Sequence, residues 1–135
     1  MPMADFVVGQ SAELTRTITE ADVMAFASVT GDFNPVHVNA VAAAASSFGE
    51  RIVHGMLTAS LFSTLLATKL PGPGAIYLSQ SLKFLRPVKL GDTVTVRVEV
   101  LSLDIAKRHM TLETSARNER GKTVVSGEAV VQVPI

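Results

Sequence analysis

The chain has 135 residues, 47% of them apolar, and its 12 basic side chains balance 12 acidic ones. That is the size of one domain, residues 1–135, with enough apolar surface for a core, and the even charge excludes a global field that draws nucleic acid or anionic membrane. Cysteine is absent, which excludes a disulfide framework and a thiolate nucleophile and fits a cytoplasmic protein.

In chain order, Phe6 to Ile18 reads as a strand-like stretch broken by Gly9. Thr19 then offers an N-cap, with Asp22 three residues on to complete a capping box. Val23, Phe26 and Ala27 share one face of the helix that follows, and Gly31 is placed to end it. Pro35 disfavours helical geometry at Asn34, so Asp32 to His37 is expected to turn. A short alanine-rich helix is predicted over Ala40 to Ser46.

From Met56 to Leu70 apolar residues occupy almost every side of a helical wheel, so this helix is expected to be surrounded. It is too short and too broken by Ser and Thr to span a bilayer. Pro71-Gly72-Pro73-Gly74 stops it. Strands are predicted at Ile76 to Leu85, Val94 to Val100, Met110 to Arg117 and Thr123 to Val133, with period-two alternation clearest in the middle pair. Turns fall at Gly91-Asp92 and Asn118 to Gly121. The economical arrangement is α+β: an antiparallel sheet curved around the central helix.

Few groups can do chemistry. Met1 to Gln10 lacks a basic start followed by a long apolar run, so no secretion signal is expected. Tryptophan is absent and Tyr77 is the lone tyrosine, which leaves no stacking platform for nucleic acid. No Gly-x-Ser-x-Gly elbow activates a serine. The spacing of His37, His54 and His109 predicts no metal cluster.

The turn from Gly31 to His37 concentrates a carboxylate, an amide and an imidazole. Two readings are open. Asp32 and Asn34 make side-chain turns to the backbone and His37 is a satisfied surface residue, or Asp32 and His37 form an acid–base pair on a turn that Pro35 stiffens. Val53-His54-Gly55-Met56 stands at the entrance to the central helix. The first amides of a helix have no intrahelical partner and sit at the positive end of its dipole. Gly55 either lets a substrate oxygen reach such an amide or merely eases the chain into the helix, with His54 packed on the loop. Ser60 and Ser63 either bond back to their own helix or fill gaps.

Together, Gly31-Asp32-Phe33-Asn34-Pro35-Val36-His37, His54-Gly55-Met56, Ser79 to Val88 and Gly91-Asp92 resemble the MaoC-like (R)-specific enoyl-CoA hydratases over nearly the whole chain. The resemblance is strongest to the short single-domain members associated with polyhydroxyalkanoate synthesis. It implies a hot-dog fold, a homodimer joined edge to edge, and acyl-CoA near the subunit interface. It implies Asp32 and His37 as the catalytic pair, Asn34 as the amide that orients it, Gly55 as donor to the thioester carbonyl, and Ser63 as a serine reaching toward the pair. It implies no metal, flavin or nicotinamide cofactor.

If Ser63 faces the pair, Leu66 lies one turn along the same helix face. Leu66 and Val131 are then expected to limit acyl length. The competing expectations are a hot-dog thioesterase, a dehydratase acting on acyl carrier protein, and a non-catalytic acyl-CoA-binding subunit.

Overall fold

In the computed structural model, which describes residues 1–135, the chain runs β1 (Ser11–Thr17), α1 (Glu20–Thr30), α2 (Pro35–Val38), α3 (Ala40–Ala44), α4 (Gly55–Thr68), β2 (Ile76–Phe84), β3 (Thr93–Asp104), β4 (His109–Arg117) and β5 (Thr123–Gln132). The five strands form one antiparallel sheet in the order β1-β3-β4-β5-β2. Succession along the chain is therefore not succession in the sheet: β2 pairs with β5, and β1 closes the other edge on β3.

The alternation read from sequence places the core. Val94, Val96, Val98 and Val100 of β3, with Met110, Leu112, Thr114 and Ala116 of β4, are all fully buried on one face of the sheet. Against that face lies α4, which touches all five strands. Phe62, Leu65 and Leu66 point from it into a core cluster of 23 buried residues. Burying each such side chain stabilises the fold by about 1.5–3 kcal/mol.

The expectation of a helix surrounded on every side needs correction. Met56, Ser60, Ser63, Thr64 and Ala67 follow helical spacing along an exposed strip of α4. The sheet curves around only one side of the helix, and the strip runs beside the edge strand β2. That strand itself exposes Ile76, Tyr77, Leu78 and Phe84.

Other departures are local. Residues 6–10 are not strand: Met3–Asp5 form a 3-10 turn, and Gly9, at φ 91°, turns the chain before β1. Pro35 begins a helical turn, because proline is accepted at the first position of a helix. Gly127 marks a close approach of β5 to β2. A Cβ there would stand 1.8 Å from the Ser81 carbonyl oxygen, so no larger residue fits.

Candidate active site

The capping box that starts α1 is complete: the Asp22 amide donates to Thr19 Oγ1 at 3.1 Å, and the Thr19 amide to Asp22 Oδ2 at 3.0 Å. The helix ends at Gly31, whose left-handed backbone (φ 77°) turns the chain out of it. Asp32 follows. Its amide donates to Thr30 Oγ1 at 3.1 Å, and its Oδ1 accepts the Asn34 amide at 3.2 Å. Asn34 is the N-cap of α2, its Oδ1 accepting the Val36 amide at 3.3 Å. The turn-forming roles of Asp32 and Asn34 are thus real, and they are the means by which the carboxylate and the His37 ring are set on one cleft.

His37 is buried, and its Nδ1–H donates to the Ile52 carbonyl at 2.8 Å. The other nitrogen, Nε2, is left to exchange a proton. Arg51 holds the same turn from behind: Nε donates to the His37 carbonyl at 2.7 Å and Nη1 pairs with Glu20 at 2.7 Å. His54 lies against the turn. Its Nε2–H donates to the Asp32 main-chain carbonyl at 2.9 Å, and its ring stacks on His37 with centroids 3.9 Å apart.

Asp32, His37, His54 and Gly55 open on one cleft of about 500 Å³. Its walls are mostly apolar, with Phe48, Ile52, Phe84, Val88 and Val125 among them, and Arg86 is the one basic residue on it. Gly55 begins α4, so its amide has no intrahelical acceptor. A carboxylate, an imidazole and the amide end of a helix on an apolar cleft can position a water, move protons and polarise a carbonyl.

Three sequence-predicted residues lie elsewhere. Ser63 is two turns along α4 from Gly55 and opens on a different groove of about 450 Å³, between α4 and β2, with Phe26, Met56, Tyr77 and Gln80. The resemblance sets Ser63 toward the acid–base pair; in this chain Ser63 and the pair open on different grooves, because helical rise carries Ser63 along α4 from Gly55. Leu66 and Val131 are buried in the core and border neither space.

Folding also assembles a cluster of potential metal donors that the histidine spacing did not predict. Asp32, His37 and His54 each offer a donor atom within 4.8 Å of the others. Folding joins groups up to 22 positions apart. Each imidazole already donates one ring N–H to a carbonyl, which orients a metal ligand and a proton carrier equally well.

The family model for the MaoC like domain matches residues 6–122. An (R)-specific enoyl-CoA hydratase of Rhodospirillum rubrum is 50% identical over 130 residues, 96% of this chain and 90% of that protein. The chain belongs to the MaoC-like family. A 3-hydroxybutyryl-CoA dehydratase of Methylorubrum extorquens is 45% identical over 96% of this chain and 82% of its own length. The solved (R)-hydratase of Aeromonas caviae, involved in PHA biosynthesis, superposes with a TM-score of 0.93 at 50% identity, over 96% of this chain and 98% of that one. The sheet and central helix are accordingly the hot-dog fold of MaoC-like hydratases.

Within this MaoC-like chain, sequence reasoning passed over Phe84 and Thr58. The Phe84 ring lies over Gly55, and Thr58, one turn into α4, is fully buried with its hydroxyl unpartnered beside the cleft. No local motif signals the Phe84 contact, since it depends on how β2 passes the start of α4. No helix is long and apolar enough to cross a membrane.

Proposed function

We propose that this protein is an (R)-specific enoyl-CoA hydratase, adding water to a trans-2-enoyl-CoA to give the (R)-3-hydroxyacyl-CoA and catalysing the reverse dehydration. The observation that carries the reading is the convergence of Asp32, the His37 ring and Gly55, the first residue of α4, on one apolar cleft. The relatives' activities agree with it.

In this reading the thioester carbonyl accepts the Gly55 amide hydrogen, which draws electrons from the conjugated double bond. A water held between Asp32 and His37 loses a proton to the Asp32 carboxylate as its oxygen bonds to C3. His37 delivers the proton on Nε2 to C2 of the same face. Transfer of the proton from Asp32 back to His37 resets the pair, so the sum is one water added. The Nδ1–H bond to Ile52 keeps Nε2 as the working nitrogen. Asn34 orients the pair through α2, whose cap it is. No metal, flavin or nicotinamide takes part, because conjugation with the thioester already makes C3 electrophilic.

We further read residues 1–135 as one catalytic domain of a cytoplasmic homodimer. Two exposed features support the dimer: the strip of α4 through Met56, Ser60 and Ser63, and the unpaired edge of β2 beside it. In a dimer joined there, Ser63 lines the acyl end of the site, and Leu66 and Val131 pack in the core behind it. The role of the Aeromonas caviae protein supports supply of polyhydroxyalkanoate monomers from β-oxidation.

Crotonyl-CoA in a cuvette with the purified protein tests the activity. Ultraviolet absorbance of the enoyl thioester falls without release of free thiol if the reading is right. Thiol release marks a thioesterase instead, and no change with crotonyl-, octenoyl- and carrier-protein-bound substrates marks a binding subunit.

A further inference from the structure

We infer that His54 is a positioning residue for hydration, holding Asp32 by its backbone and His37 by its ring; the inference rests on the hydratase reading above. His54 is 2% exposed and takes no part in the proton transfers described.

The catalytic turn is clamped by one short extended segment. The Ile52 amide donates to the Val36 carbonyl at 3.1 Å, the Ile52 carbonyl accepts His37 Nδ1–H at 2.8 Å, and His54 Nε2–H donates to the Asp32 carbonyl at 2.9 Å. The segment is itself anchored between them, the Val53 amide donating to the Val88 carbonyl at 2.7 Å. The next residue is Gly55, which lines the same cleft. Three consecutive residues therefore set the carboxylate, the imidazole and, through the chain, the oxyanion donor.

Within that clamp His54 alone reaches Asp32. The Asp32 side chain is exposed, and the bonds that restrain its residue otherwise come from Thr30 and Asn34, both in the same turn. A carbonyl only accepts, so the bond to Asp32 assigns a proton to His54 Nε2. The ring is also confined: it stacks on His37 at an interplanar angle of 27°, and Phe26 packs against it at 5.0 Å. Rotation of the His37 ring about its Cβ bond would have to break that stack. The pair thus keeps a fixed separation without a direct bond between its members, which is what a water held between them requires.

The test separates donor from bulk. His54→Phe keeps an aromatic ring of similar thickness and removes the donor, whereas His54→Gln restores an N–H near the Nε2 position and removes the ring. Each variant is checked by circular dichroism and thermal melting, then assayed with crotonyl-CoA, and its affinity for saturated butyryl-CoA is measured by calorimetry. The expected result is a folded His54→Phe protein with kcat reduced roughly tenfold to a hundredfold, the scale of a small misplacement of reacting groups. Butyryl-CoA affinity changes less than about threefold, and His54→Gln recovers part of kcat although it melts lower. Either variant folded with kcat within about twofold of the parent overturns the inference, as does a loss of affinity that matches the loss of kcat. An inactive parent overturns the hydratase reading and this inference with it, while an active parent isolates His54.

Discussion

The ring of Phe84 rests on the bare backbone of Gly55: a Cβ at Gly55 would stand 2.6 Å from Phe84 Cδ1 and 2.7 Å from Cε1. The absence of a side chain at the head of α4 is therefore what lets Phe84 rest there, and in the proposed mechanism it also admits the substrate carbonyl. Phe84 is half exposed and can swing, so Gly55→Ala is expected to fold. The displaced ring and new methyl then crowd the oxyanion amide, and kcat/KM for crotonyl-CoA falls at least about tenfold, or about 1.4 kcal/mol. A Phe84→Ala, Gly55→Ala double variant regains part of that loss if the ring is the cause.

Removing either proposed proton carrier is expected to leave the fold intact. Asp32→Asn keeps an acceptor for the Asn34 amide, and His37→Gln keeps a polar group near the Ile52 carbonyl. Each is expected to lose at least about 100-fold in hydratase rate, the usual scale of acid–base catalysis. Near-normal turnover by either folded variant would remove that residue from the mechanism.

Asn34 acts as a cap before it acts as anything else. Asn34→Ala leaves the Val36 amide without its acceptor, and stability to urea drops by about 1 kcal/mol. Activity drops too, because α2 carries His37. Asn34→Asp retains the cap acceptor and keeps most of the stability. Equal activity of Asn34→Ala and the parent would show that the cap does not set the His37 ring.

Leu66 tests the acyl reading. It is 2% exposed in the core, so Leu66→Ala costs about 2–5 kcal/mol of stability. If the acyl chain ends against it, kcat/KM for eight-carbon relative to four-carbon enoyl-CoA rises about tenfold, within the range one or two methylenes are worth. An unchanged ratio in the folded variant places the acyl chain elsewhere.

Asp22 gives the start of α1 a pH dependence. The hydrogen bond from Arg16 holds its carboxyl below the ordinary carboxylate range, and the Thr19 amide adds to this. A carboxylate lowered in the folded state contributes stability that is full above its unfolded value and is lost as pH falls through the folded one. Chemical denaturation of parent and Asp22→Asn should therefore differ at pH 7 and converge below about pH 4. A constant difference across that window would assign the loss to shape and not to charge.

Much of the fold was legible because its cause is local or periodic. Alternating valines in β3 and alternating apolar residues in β4 named their buried faces correctly, and Thr19, Asp22 and Gly31 marked both ends of α1. Asp32, Asn34 and His37 were recognisable together because one short turn carries all three. The strand order was not legible, since pairing β2 with β5 is decided by which edges meet when the sheet curves. The groove that Ser63 lines was not legible for a related reason: helical periodicity gives the face a residue shares, not the groove that face borders.

By itself the sequence determined the elements, the apolar faces and the reactive turn, because each follows from neighbours within a few residues. Only the tertiary structure decided that Ile52 and His54 grip that turn, that Phe84 covers Gly55 and that α4 keeps an open strip. Those contacts join positions far apart in the chain, and their geometry exists only once the sheet has closed around one side of the helix.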